Sequence, residues 1–380
     1  MTLTAYTGAA IFDGMELHEG RVLLAEDGIC CGLADGLPSG SHEAPLKGGI
    51  IAPGFVDLQV NGGGGVMLND DTTAEGVRRI AEAHAGTGTL GLLPTLITDT
   101  AVRSRAAVDA VAQAIADGVP GVLGLHLEGP HLSQARKGAH DPALIRPMEA
   151  EDEAFLIDAA ARLPNLLCTV APESVTPEQI ARLAAAGILV SLGHTDCSHA
   201  TAQASFAAGA RCVTHLFNAM SQLGNREPGL VGAALGAGAV SAGLIADGIH
   251  VHAASIRAAI DAKRGPGRVF LVTDAMSTVG SDITEFTLNG RRILRRDGRL
   301  TLADGTLAGA DLDMPRAISV MTGAVGLDRA TALAMATSVP AGVLRNPMGH
   351  GTLTKGAPLR AIHLAEAPGG ALQFAGRIGG

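Results

Sequence analysis

Tryptophan is absent from the 380 residues, tyrosine occurs once and phenylalanine eight times, so the chain offers almost no aromatic platform for stacking nucleobases. A basic excess is missing too. The formal charge of -9 argues against nucleic acid as the main partner, which would need a positively charged face. No apolar run reaches the roughly 18 residues of a membrane-spanning helix, so no membrane partner is expected. The stretch Met1-Thr-Leu-Thr-Ala-Tyr lacks the basic head and apolar core of an export signal. A soluble cytoplasmic protein is therefore the expectation. The five cysteines, Cys30, Cys31, Cys168, Cys197 and Cys212, form no C-x-x-C pair, and their odd number suits reduced intracellular thiols. Cys197 stands near His194 but is read as a small buried hydrophobe.

What is present is a 47% hydrophobic chain long enough to bury a large core. Strand and helix signals alternate through its middle. Eight strand candidates fall at 50-60, 88-95, 121-128, 166-172, 188-194, 211-217, 240-246 and 269-274. The best-marked helix is Thr176-Pro-Glu-Gln-Ile-Ala-Arg-Leu-Ala-Ala-Ala-Gly187. Thr176 is its N-cap, Pro177 its first helical residue, Gln179 completes a capping box and Gly187 closes it. Residues 101-116 place Val108, Val111, Ala112 and Ile115 on one helical face. Eight βα units predict a (β/α)8 TIM barrel over 51-345, with an open doubly wound sheet as the alternative. Asn-Gly and Asp-Gly signals predict a β-hairpin insertion near 282-309, followed by helices near 312-323 and 328-338. Residues 1-50 and 346-380 read as short strands and turns. They are predicted to complete one small β-sandwich domain together, because chain termini commonly lie close in space.

The alternation places polar groups consistently. The run Val122-Leu-Gly-Leu-His-Leu-Glu-Gly-Pro-His131 looks like a buried parallel strand ending on Glu128, a carboxylate that must then be paired, protonated or metal-bound. Ile188-Leu-Val-Ser-Leu-Gly-His194, Cys212-Val-Thr-His215 and Val269-Phe-Leu-Val-Thr-Asp274 end in the same fashion. In a barrel all four polar groups face one mouth, where active sites of this architecture lie. One carboxylate and two imidazoles are a common ligand set for a catalytic divalent metal, and a further carboxylate beside it can take the proton of an activated water.

Strand one carries Pro53-Gly-Phe-Val-Asp-Leu-Gln-Val-Asn-Gly62, and here the chain resembles the amidohydrolase superfamily. With Gln59 and Asn61 in place of a histidine pair, it is similar to the N-acetylglucosamine-6-phosphate deacetylases in particular. Further matches run in order: His126-Leu-Glu-Gly-Pro-His131, Lys137-Gly-Ala-His140, Gly193-His-Thr195, Thr214-His-Leu-Phe-Asn-Ala-Met220, Arg226-Glu-Pro-Gly229, Ala246-Asp-Gly-Ile-His250 and Val272-Thr-Asp-Ala-Met276. His131 stands where many relatives carry a bulky aromatic.

The resemblance implies hydrolysis of the acetamide of N-acetylglucosamine 6-phosphate. It implies a metal on Glu128, His194 and His215, with Asp274 shuttling the proton and His140 polarising the carbonyl. Neutral amides are poor ligands for zinc, so a single ion is expected, with Zn2+ first and Fe2+ or Co2+ acceptable to the same set. Gln59 and Asn61 would hydrogen-bond water or shape the pocket. Arg226, with His250 beside it, matches the phosphate contact. Ala139, Asn218, Ala219, Asp247, Leu307, Ala308 and Gly309 would line the substrate pocket. A homodimer is implied, with Arg and His of this type reaching the site across its interface.

Other readings of the same residues remain. One is another amidohydrolase, such as a dihydroorotase, nucleobase deaminase or aminoacylase, against which the missing histidines at 59 and 61 count. Another is a barrel that has lost catalysis, against which the intact Glu128, His194, His215 and Asp274 count. The third is a sibling deacetylase for the galactosamine epimer or an unphosphorylated sugar, since a few pocket contacts decide that choice. Gly62-Gly-Gly-Gly65 lacks the Gly-Lys-Ser/Thr of a nucleotide loop and is read as a tight turn at the barrel mouth.

Overall fold

The computed structural model describes residues 3–288 and 290–379. Met1, Thr2, Asn289 and Gly380 lie outside the described residues, and with them the first half of the Asn289-Gly290 hairpin signal.

Eight parallel strands form one sheet in sequence order: β1 (Phe55–Val60), β2 (Thr89–Ile97), β3 (Leu125–Glu128), β4 (Leu166–Val170), β5 (Leu189–Leu192), β6 (Cys212–Val213), β7 (Ser241–Ile245) and β8 (Val269–Val272). The sheet closes on itself beyond β8. Asp274 N–H donates to Gln59 O at 3.1 Å, Asn61 N–H donates to Ala275 O at 2.9 Å, and Val60 pairs with Ala275. This is the TIM barrel that the alternation predicted, and the open doubly wound sheet is excluded by the closure. Each strand candidate corresponds to a barrel strand, with two adjustments. The 50-60 run is shared between two sheets, because Ile50–Pro53 pairs with strands of the chain's two ends and only Phe55–Val60 enters the barrel. The sixth strand is only two residues long.

The helix at Pro177–Ala185 starts as its signals require, with Thr176 Oγ1 accepting from Gln179 N–H and the Gln179 side chain returning to the cap. Helix Ala101–Ala116 buries Val108 and Val111 against the barrel, with Ala112 and Ile115 half-buried beside them. The main apolar cluster lies between the strands and this helical ring, where burial of aliphatic side chains drives folding.

Strands from the two ends form a four-stranded sheet and a five-stranded sheet. In the latter, Ala361–Glu366 and Leu372–Ile378 lie beside Ile50–Pro53 and Ala10–Phe12. The two sheets share an apolar cluster that includes Ile11, Leu23, Cys30, Ile51, Ala361 and Ile378, which makes a small sheet domain from both termini. After β8, Glu285–Leu288, Arg291–Arg296, Arg299–Thr301 and Leu307–Ala310 form an antiparallel sheet of four strands, larger than a single hairpin. Its apolar face, with Leu288, Ile293, Leu300 and Ala308, packs on Met67, Ile97 and Met276 at the C-terminal end of the barrel. No described helix is long and apolar enough to cross a membrane.

Candidate active site

Glu128 is the last residue of β3, whereas His194, His215 and Asp274 each stand two residues past the end of their strands. Those three adopt left-handed backbone, with φ of 48°, 30° and 50°. Non-glycine residues held there cost roughly 1–3 kcal/mol each and cluster at functional sites. The bends bring the side chains together. His215 Nε2 lies 3.1 Å and His194 Nε2 3.3 Å from Glu128 Oε1, and the two Nε2 atoms are 3.0 Å apart. The ligand atoms of all three residues fall within 4.8 Å of one another.

His194 Nδ1–H donates to Arg136 O at 2.8 Å, which leaves its Nε2 lone pair facing Glu128. Three buried ligand atoms thus converge on one point, as a metal site needs. The residues therefore fit a divalent metal. The Glu128 carboxyl is held well below its usual value, burial being more than offset by the neighbouring imidazoles of His194 and His215. His215 is raised, because Glu128 outweighs the burial that pulls it down.

Asp274 completes the cluster. Its Oδ1 accepts from Asn61 Nδ2 at 2.7 Å and from Gln59 Nε2 at 3.0 Å, and Gln59 Nε2 also reaches both Glu128 oxygens at 3.2 and 3.3 Å. Burial and the neighbouring charge of Glu128 push Asp274 above its ordinary value, which suits a group that must accept a proton and give it back. His140 stands across from it, with Nε2 3.9 Å from Glu128 Oε2. Thr98 N–H donates to His140 Nδ1 at 3.3 Å, so the neutral ring carries its proton on Nε2. Burial, followed by the charge of His194, keeps that ring well below its usual value and therefore neutral.

Beneath the cluster a polar layer fills the barrel. His126 Nε2 meets Thr169 Oγ1 at 2.8 Å, Thr169 meets Thr214 at 2.6 Å and Thr214 meets Ser191 at 2.6 Å. Burial pushes His126 down to about 4.

A cavity of about 390 Å³ opens over the cluster, bounded by Asn61, Glu128, Ala139, His140, His194, His215, Asn218, Ala219, His250, Asp274, Leu307 and Gly309 among others. Gly138 has φ +55°, and a Cβ there would sit 3.1 Å from His194 Cε1, so glycine lets the 137–140 loop pass close over the His194 ring. Four residues expected around the substrate do not line this cavity. Gln59 lies below it as a bridge between carboxylates. Asp247 is buried behind His250, accepting from its Nδ1 at 2.6 Å, and so orients that ring. Ala308 faces the apolar cluster, as alternation along its strand dictates between Leu307 and Gly309. Arg226 is exposed and away from the cavity of its own chain.

Sequence reasoning missed Arg136, Met276 and Thr306 on the cavity wall, Thr98 behind His140, and Arg291, whose guanidinium donates to Ala139 O. No sequence signal pointed to Thr98 or Arg291, because each acts through a contact made only in the fold.

A model of the amidohydrolase family matches residues 50–365. The chain belongs to the amidohydrolase family. Among curated relatives of this amidohydrolase, an N-acetylgalactosamine-6-phosphate deacetylase of Shewanella is 43% identical over 344 residues, covering 90% of this chain and 86% of the relative. An N-acetylglucosamine-6-phosphate deacetylase of Haemophilus influenzae is 35% identical over 323 residues, 84% of each chain. The solved N-acetylglucosamine-6-phosphate deacetylase of Pasteurella multocida superposes with a TM-score of 0.92 at 30% identity, covering 99% of this chain and 98% of that one.

Proposed function

We propose that this amidohydrolase is an N-acetylglucosamine-6-phosphate deacetylase, releasing acetate and glucosamine 6-phosphate for amino-sugar salvage or cell-wall recycling. The observation that carries the reading is the arrangement of Glu128, His194 and His215 around one point, with the Asp274 carboxylate tied to Glu128 through Gln59. Glu128, His194 and His215 would hold one divalent ion, zinc first, with Fe2+ or Co2+ accepted by the same donors. When bound, it supplies Lewis acidity and lowers the pKa of water.

The chain's own groups supply the rest. Asp274 takes the proton of the attacking water and delivers it to the departing nitrogen, which leaves poorly without it. His140 donates Nε2–H to the carbonyl oxygen as negative charge develops there, and Thr98 holds the tautomer that makes this donation available. Asn218, Ala219, Ala139, Leu307 and Gly309 form the walls against the sugar. His250, held by Asp247, stands at the cavity as a phosphate donor. Arg226 would join it from a second copy, since its exposed segment also presents Leu223 at 59% exposure, which suits a homodimer. A cytoplasmic location fits the free, largely buried cysteines.

The Shewanella relative favours a second reading, the galactosamine epimer. The test is kcat/KM for both 6-phosphorylated epimers and for unphosphorylated N-acetylglucosamine. The glucosamine reading requires its own epimer to be fastest; a galactosamine preference replaces it, and equal rates without phosphate remove the His250 and Arg226 assignments.

A further inference from the structure

At the opposite end of the barrel from Glu128, a second cavity of about 400 Å³ lies between the starts of β2 and β3 and the terminal sheet. Its walls are largely aliphatic, including Leu90, Leu92, Val122, Leu123 and Leu359. Its charged groups are of one sign. Arg360, just before the strand Ala361–Glu366, and Arg377, an exposed residue of the paired strand Leu372–Ile378, both line it. Among the described residues neither guanidinium has a hydrogen-bond acceptor or an ion-pair partner, and no aspartate or glutamate lines the cavity. Asp117, beside Gly118 on the wall, caps the Ala101–Ala116 helix and takes the Gln113 amide at 2.7 Å.

A second observation comes from Thr89 at the start of β2, which also lines the cavity. Thr89 is 2% exposed, and its Oγ1 is buried without any hydrogen-bond partner. A buried hydroxyl left unpaired carries an unmet desolvation cost, and a ligand oxygen would relieve it. His350, on the same wall, is pushed down to about 4 by burial and then by the charge of Arg360, so it stays neutral here.

We propose that this cavity binds a small organic anion, an apolar body carrying a carboxylate head. The planar fork of each guanidinium matches a carboxylate, and two forks on adjacent strands can hold its two oxygens. The aliphatic walls take the body, and a volume of about 400 Å³ suits a small molecule. The site is distinct from the metal cluster and does not rest on the deacetylase reading.

The test is isothermal titration of octanoate into the protein. Octanol serves as the neutral control. Octanoate should bind, octanol should not, and Arg360→Gln with Arg377→Gln should weaken binding at least ~10-fold with turnover unchanged. Arg360→Lys with Arg377→Lys keeps the charge and should weaken it less, which guards against misfolding of the glutamine variant. No octanoate binding overturns the proposal. So does binding that survives both substitutions, or a fall in melting temperature with no change in affinity. In that last case the arginines only offset the carbonyl ends of the helices that finish at Ala85 and Ala116.

Discussion

Gln59 Nε2 stands between two carboxylates, 3.0 Å from Asp274 Oδ1 and 3.2 Å from Glu128 Oε1. An amide nitrogen is the group such a position calls for, since it donates to both anions without adding charge. Gln59→Leu removes both donations and leaves the carboxylates facing each other. Kcat/KM should fall about 10–100-fold, the usual cost of losing a group that orients metal ligands. Steady-state assay beside metal analysis checks this, and unchanged turnover would show the bridge to be incidental.

The same position is expected to set metal stoichiometry. Gln59 and Asn61 offer an amide face where a histidine pair would offer ligands, so one ion per chain is expected. Gln59→His with Asn61→His should allow a second. Metal analysis after dialysis reads the ratio directly; two ions in the unaltered protein would contradict the reading.

Asp274→Asn keeps the size of the side chain and removes its ability to accept a proton. Kcat should drop about 10²–10⁴-fold, the range attributed to general acid–base groups, with metal content unchanged. Retention of most of the turnover would assign the shuttle elsewhere.

Thr98 stands behind His140 without lining the cavity. Its N–H fixes the His140 tautomer and its hydroxyl lies 2.7 Å from the same nitrogen. His140→Ala should lower kcat by about 10²–10³-fold, as loss of an oxyanion donor does. Thr98→Val keeps the backbone donor and should lose less, with KM little changed. Equal losses would mean that the hydroxyl, not the backbone, sets the tautomer.

His84 predicts a pH dependence of stability remote from the chemistry. It is fully buried, its Nε2–H donates to Gly62 O at 2.9 Å, and burial pushes it down to about 4 from 6.5. A depressed folded pKa means that the unfolded chain binds the proton first. The stability that neutral His84 contributes is present above pH 6.5 and is lost as pH falls towards 4. Between pH 7 and pH 5 the loss from this group is about 2 kcal/mol at about 1.4 kcal/mol per unit. Urea unfolding at the two pH values should show His84→Gln to be less pH-sensitive by that amount; identical slopes would contradict it.

Much of this was legible in the sequence for a physical reason. A barrel built from repeated βα units writes each strand as a short apolar run, and a polar residue just past such a run must sit at the mouth, so Glu128, His194, His215 and Asp274 could be placed together. Alternation within a strand was less legible where the strand was short or its register unknown, as with Ala308, which turns inward between Leu307 and Gly309. Spacing along the chain carried no information on Thr98 behind His140 or on Arg291 above Ala139, because those contacts span 42 and 152 residues. The split of the 50-60 run at Gly54 was hidden because apolar residues run on both sides of it, Ile50 and Ile51 before and Phe55, Val56, Leu58 and Val60 after.

The central claim is that Glu128, His194 and His215 hold a metal on which hydrolysis of the acetamide depends. The direct measurement is acetate release from N-acetylglucosamine 6-phosphate by the protein as purified, after chelation, and after zinc is returned. The account predicts turnover that is lost on chelation and restored with zinc. Full turnover in metal-free protein, or none with metal in place, would contradict it.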